Sequence, residues 1–142
     1  MKERDDALRM TENDVVDAVA KHLKAEGWTI TNTCTTEQRG IDLTAERGNE
    51  GLFLEAKGGT SSKEGTGRYG KGFSTNQQRD HVANAVLTAL KLRSSETRPQ
   101  VAIAFPDTPS HRRHLTAAAD ALKTLSIWAY IVHPDQRVER IV

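Results

Sequence analysis

Apolar residues near the start of the chain recur with a helical period. Thr11 is a good helix N-cap with Asp14 in the capping-box position, and Val15, Val16, Val19 and Leu23 follow before Gly27 marks the stop. Residues 1–10 show no period and are expected to form a flexible N-terminus. From Trp28 to Thr33 the chain is β-branched and aromatic, which predicts a strand. Ile41 to Glu46 and Gly51 to Lys57 predict two more, joined as a hairpin by the turn-like cluster Arg47-Gly48-Asn49-Glu50. A helix is expected from about Thr75 to Leu92, with Val82, Val86 and Leu90 as its buried stripe. A strand over Gln100 to Phe105 ends at Pro106. Ser110 can cap a helix that runs to Leu125 and carries Leu115, Ala118, Ala119 and Leu122. Ser126 to Val132 is a strong strand, and Arg137 to Val142 offers a short edge strand. The order αβββαβαβ predicts one α/β domain over residues 11–142, a mixed sheet flanked by helices.

Composition changes this picture at one place. Six of the ten glycines fall between Gly58 and Gly72, among Ser, Thr and basic residues, so residues 58–74 are expected to be a flexible loop. The net charge of +1 leaves open a basic face. Cys34 is the single cysteine, which fits a reducing compartment. The charged start has no apolar run behind it and no stretch reaches membrane-spanning length, so a cytoplasmic protein without a membrane partner is expected.

The hairpin carries the chemistry. Side chains two apart on a strand share a face, so Glu55 and Lys57 lie together. A turn centred at about Asn49, with paired positions summing to about 99, sets Asp42 opposite Lys57 and diagonal to Glu55, within roughly 5–8 Å on one face. A one-residue slip would break that convergence. Two converging carboxylates repel unless a hard cation sits between them. Mg²⁺ or Mn²⁺ with oxygen ligands can polarise a phosphoryl oxygen and acidify a bound water. Lys57 would then stabilise charge on the reacting phosphate or orient the water.

Gly40-Ile41-Asp42 followed by Glu55-Ala56-Lys57 resembles the D…(D/E)-x-K signature of the PD-(D/E)xK nuclease superfamily, in its Mrr-like and Holliday-junction-resolvase-like branch. The resemblance spans most of residues 11–132. It implies a restriction endonuclease-like core and a Mg²⁺- or Mn²⁺-dependent deoxyribonuclease, with Asp42 and Glu55 as metal ligands and Lys57 as the catalytic lysine. Ile41 stands where the name-giving proline would be. Glu12 lines up with Val16, Val19 and Leu23, so an acid occupies the buried stripe, where a metal site would supply its partner. The family often carries such a glutamate on its first helix. The plainer reading is that Glu12 complements the helix dipole. The resemblance also implies a glutamine on the helix after E-x-K. Gln77 is the first candidate and Gln78 its rival, with His81 and Arg39 as accessory candidates.

Between Lys57 and Arg79 stand five cations, Lys57, Lys63, Arg68, Lys71 and Arg79, against the one acid Glu64. The last four suit a DNA backbone, and a solvated loop is the alternative. Gly65 to Gly70 fits G-x-G-x-x-G and Gly65 to Lys71 the start of a P-loop, but Gly72 replaces the required Ser or Thr and no strand runs directly into the loop. His111, Arg112, Arg113 and His114 read as a solvated cationic face or a nucleic-acid contact, and His133 has no evident partner. The expected partner is DNA. With no room for a sequence-reading domain, specificity is expected from DNA structure, a homodimer or a second protein. The alternative function is a non-catalytic nucleic-acid- or protein-binding module on the same fold.

Overall fold

A computed structural model of the chain describes residues 6–33, 41–60, 72–95 and 99–142. Helix α1 (Glu12–Ala25) precedes strands β1 (Thr29–Thr33), β2 (Leu43–Arg47) and β3 (Glu50–Ala56). Helix α2 (Thr75–Ser95), β4 (Gln100–Pro106), α3 (Pro109–Ala117), α4 (Ala119–Thr124), β5 (Ile127–Val132) and β6 (Val138–Arg140) complete it. The six strands form one sheet in the order β1-β2-β3-β4-β5-β6. Pairing is parallel at β3/β4 and β4/β5, where helices make the connection, and antiparallel elsewhere.

Strand alternation divides the core. Ala102 and Ala104 of β4 face α1 with Leu43, Leu52 and Leu54, and their small side chains leave room for Val15, Val19 and Leu23. Val101, Ile103 and Phe105 point the other way, onto α2, α3 and α4. Each fully buried leucine or isoleucine contributes roughly 1.5–3 kcal/mol.

Both ends of α1 follow the expected local chemistry. Thr11 Oγ1 accepts the Asp14 N–H at 3.1 Å and Asp14 Oδ2 accepts the Thr11 N–H at 2.9 Å. At the far end Gly27 adopts φ 92° and lets the Trp28 N–H reach back to the Leu23 carbonyl at 3.0 Å.

Several expectations are corrected. Residues 1–5 lie outside the described residues, and within the expected flexible N-terminus residues 6–8 form a helical turn, with Ala7 fully buried and Met10 O accepting the Gly59 N–H at 2.7 Å. That contact, and the Phe73 N–H donated to Gly59 O at 2.8 Å, anchors both ends of the expected 58–74 loop. Leu90 is an exposed residue of α2, whose buried stripe is Gln78, Val82, Ala85 and Ala89, with Val86 half-buried. The expected helix over 110–125 breaks at Ala118, and its cap is Thr108, with Pro109 in the first turn, rather than Ser110.

Candidate active site

The hairpin turn lies between Gly48 and Asn49, so Leu43 pairs with Leu54 and Thr44 with Phe53. Carried one residue further, this register sets Asp42 opposite Glu55 rather than opposite Lys57. The offset from the assumed register is two positions, an even number, and the shared face survives. Asp42 stands just before β2 and is buried, and its Oδ2 accepts the Ala56 N–H at 2.8 Å. Its side chain also shares a hydrogen bond with Glu55. Lys57 extends beyond β3 along β4, where its backbone N–H donates to Ala104 O at 3.0 Å. Its Nζ lies 3.5 Å from Glu55 Oε1, and both side chains keep some solvent access.

Glu12 arrives from the other layer of the molecule. Gly58 follows Lys57 and passes so close to the start of α1 that a Cβ there would stand 2.4 Å from Glu12 N and 2.6 Å from Thr11 C. A backbone-on-backbone approach of this kind requires glycine. It brings Glu12, half-buried, within electrostatic reach of Asp42 and Lys57.

Burial sets the electrostatics, and crowding of acids adds to it. Burial first, then the Asp42 charge, push Glu12 up to about 7, against the pull of Lys57. Glu55 is pushed up in the same way, by burial and then by Asp42. Asp42 is raised by burial too, while the Ala56 N–H, Glu55 and Lys57 favour its charged form. A hydrogen bond between the Asp42 and Glu55 side chains is possible only when one of the two carries a proton.

Among the described residues no three His, Cys, Asp or Glu side chains are arranged as they stand to hold a metal ion. The donor chemistry nevertheless suits one. Asp42, Glu55 and Glu12 supply only hard oxygen ligands, and Mg²⁺ or Mn²⁺ needs one or two carboxylates with water completing its shell. A cation would offset the burial that raises all three acids and the Asp42 charge that adds to it at Glu12 and Glu55.

Other candidates fall into three groups. His81 stands in reach of Lys57: burial, then the Lys57 charge, hold its imidazole below the usual value. Its ring meets Phe73 edge-on at 4.5 Å, and its buried Nδ1 has no hydrogen-bond partner among the described residues. Gln77 is engaged locally, accepting the Ser74 N–H at 2.8 Å while Ser74 Oγ accepts the Gln77 N–H at 3.2 Å. Its rival Gln78 is the buried one, donating to Phe73 O at 2.9 Å and accepting from Thr108 Oγ1 at 3.1 Å. Arg79 is exposed beside Asp80 at 3.5 Å. Arg39, Lys63, Arg68, Lys71 and the glycine motif at 65–71 lie outside the described residues.

The cationic run is corrected. His111 is fully buried, and burial holds its imidazole down at about 4, so it belongs to the core. Its Nδ1 lies 3.0 Å from Pro106 O, an obligate acceptor, which fixes the proton on Nδ1 and leaves Nε2 bare. Arg112 pairs with Asp107 and Glu139. His133 does have partners, Asp107 at 3.0 Å and Glu139 at 3.2 Å. Two contributors were hidden in the sequence. Gly58 reads as loop, although a glycine directly after E-x-K signals close approach. Thr108 was passed over for Ser110, although the spacing Thr108 to His111 is that of an N-cap and its third residue.

The class these features define is a restriction endonuclease-like α/β fold, with the acidic and lysine side chains at the edge of its central parallel strands. Two crystal structures share the fold. One is an XisH family protein from Nostoc punctiforme, 16% identical with a TM-score of 0.52, matching 88% of this chain and 95% of that one. The other is a fdxN element excision controlling factor protein from Anabaena variabilis, also 16% identical with a TM-score of 0.52, matching 89% and 96%. No protein-family model and no curated protein matches the sequence. Among the described residues no helix is long and apolar enough to cross a membrane.

Proposed function

We propose that the chain is a metal-dependent nuclease that hydrolyses DNA phosphodiester bonds. The carrying observation is the convergence of Asp42, Glu55 and Glu12 on Lys57. Asp42 and Glu55, with Glu12 beside them, would hold Mg²⁺ or Mn²⁺. When bound, such an ion polarises a phosphoryl oxygen and makes water a stronger nucleophile. The protein's own groups do the rest. The Ala56 N–H fixes one oxygen of Asp42 and so orients the other. Lys57, held beside Glu55 but partly open to solvent, can meet a phosphate oxygen and stabilise the charge that grows there.

The test is an assay of the purified chain on single-stranded, double-stranded, nicked and branched DNA with Mn²⁺ or Mg²⁺. Cleavage should need the metal and be lost in Lys57→Ala and Asp42→Asn proteins that remain folded. Inactivity on every substrate, or cleavage indifferent to Lys57→Ala, would refute the proposal. DNA geometry, a second copy of the chain or a partner protein would supply specificity, and the cytoplasm is the proposed location.

A second reading has its own support. It is a non-catalytic nucleic-acid- or protein-binding module on the same fold, supported by the printed name of the Anabaena variabilis structure, an excision controlling factor. Salt-dependent DNA binding without metal-dependent cleavage is the outcome that selects it.

A further inference from the structure

We infer that the cleft between the N-termini of α2 and α3 is a phosphate-binding subsite for a DNA strand passing the candidate active site. This rests on the nuclease reading for its substrate, and on separate residues for its chemistry. The cleft has a volume of about 450 Å³, and no carboxylate is among the described residues that line it. Ser74 and Thr75 begin one wall, Thr108 and Ser110 the other, and Arg113 reaches it from α3.

Helices of 21 and 9 residues both open onto the cleft, and the first-turn N–H groups that Ser74 and Thr108 do not cap favour an anion there. Helix ends alone would not define a site. Ser110 provides the second observation: it is only 7% exposed, it lines the cleft, and its buried Oγ has no hydrogen-bond partner among the described residues. Stable folds rarely bury a hydroxyl unpaired, and one beside a helix start is a donor held for an acceptor. The neighbouring cations separate cleanly. Arg112 is tied to Asp107 and Glu139, whereas Arg113 is exposed with no carboxylate partner among the described residues.

The cleft is also braced. Gln78 bridges the two helix starts, donating to Phe73 O and accepting from Thr108 Oγ1, so the donors of both walls keep a fixed separation. A tetrahedral anion can accept from several such donors at once. Gln78 is one helical turn, about 5 Å, from His81, which stands in reach of Lys57. On the nuclease reading, a strand whose reacting phosphate meets Lys57 would bring a neighbouring phosphate to this cleft.

The test uses the full chain in EDTA, so that binding is read without cleavage. Anisotropy of a labelled single-stranded oligothymidylate is measured across roughly 50–200 mM salt. Arg113→Glu should weaken binding by about tenfold and lower the salt slope by about one. Ser110→Ala should weaken it by a few-fold while leaving thermal stability unchanged or raised, which a merely structural serine would not do. Lys91→Glu, near the far end of α2, is the charge-matched control and should bind as wild type. Three comparisons separate the sources of phosphate: an oligomer with a neutral methylphosphonate backbone, a 5′-phosphorylated oligomer, and inorganic phosphate in a thermal-shift assay against chloride of equal ionic strength. Wild-type affinity in both Arg113→Glu and Ser110→Ala, or no binding by wild type, overturns the inference. Metal-dependent cleavage that survives such a result leaves the nuclease reading standing. Phosphate binding without cleavage by wild type removes the nuclease reading and keeps the subsite.

Discussion

The side chains of Asp42 and Glu55 are hydrogen-bonded to one another although both are acids. That bond requires a proton, and the proton has a consequence for stability. Glu12 and Glu55 keep theirs in the folded state above the ordinary glutamate value, Glu12 to about 7. Unfolding releases these protons wherever the pH exceeds the unfolded value of 4.5. The folded state then binds more protons than the unfolded one, so stability falls as pH rises from about 4.5 to about 7. The metal-free protein in EDTA should lose melting temperature across this window. Glu12→Gln and Glu55→Gln should each flatten the decline and raise the melting temperature at about pH 8. Added Mn²⁺ should restore wild type at that pH more than either variant. An unchanged decline in both variants would place its source elsewhere.

Gly58 offers a test of how the site is assembled. A methyl group there would overlap the backbone at Glu12 and Thr11, neither of which can rotate away. Gly58→Ala should destabilise the fold by roughly 1–3 kcal/mol and displace Glu12 from Asp42. Gly51→Ala is the control, since its methyl meets only Pro99 Cβ at 3.8 Å, an ordinary contact. Urea unfolding of both variants measures the difference. Equal midpoints would mean that the approach of α1 to Lys57 is looser than described.

Gln77 and Gln78 should separate in experiment. Gln78 is buried and satisfied at both ends, so Gln78→Ala leaves the Thr108 hydroxyl and the Phe73 carbonyl short of a partner, at a cost of roughly 2–3 kcal/mol. Gln77 closes a capping box on a more exposed turn, and Gln77→Ala should cost about 1 kcal/mol. Gln77→Glu keeps the cap. If Gln77 also touches substrate, that variant loses cleavage at wild-type stability; if capping is its whole role, it retains activity. Denaturation and nuclease assays on the three proteins decide the matter.

What could be read from the sequence follows from what sequence carries. Periodicity marked α1 and its cap because Thr11, Asp14 and the valines encode them locally. It also placed Asp42, Glu55 and Lys57 on one face, because that depends only on strand parity. The register that carries Asp42 opposite Glu55 depends on where the turn closes, and Gly48-Asn49 and Asn49-Glu50 are equally plausible centres in one dimension. Glu12 was legible as an acid on an apolar stripe, but its route to the site, through the close pass of Gly58, is a tertiary fact. His111 was misread for a similar reason. Within His111-Arg112-Arg113-His114 it resembles its neighbours, and only the packing of α3 on Phe105 turns that side chain inward.

His111 yields the opposite pH response from the active-site acids. Its imidazole is held neutral to about 4 by burial, against a usual value of 6.5, despite its bond to Pro106 O. The unfolded chain therefore binds a proton that the folded state refuses. The stability from keeping His111 neutral is complete above about 6.5 and is lost as pH falls towards about 4. The loss amounts to roughly 3 kcal/mol at full protonation. His111→Asn can still offer an N–H to Pro106 O but does not titrate. It should be less stable than wild type at about pH 7 by roughly 1–3 kcal/mol, because it fills the space less well. Towards about pH 4.5 the gap should narrow, since only wild type pays for protonation there. Reading the difference between the two proteins at each pH cancels the carboxylate effect that they share. A gap that stays constant across the range would mean that His111 is charged in the folded state, and the buried, neutral imidazole described above would have to be abandoned.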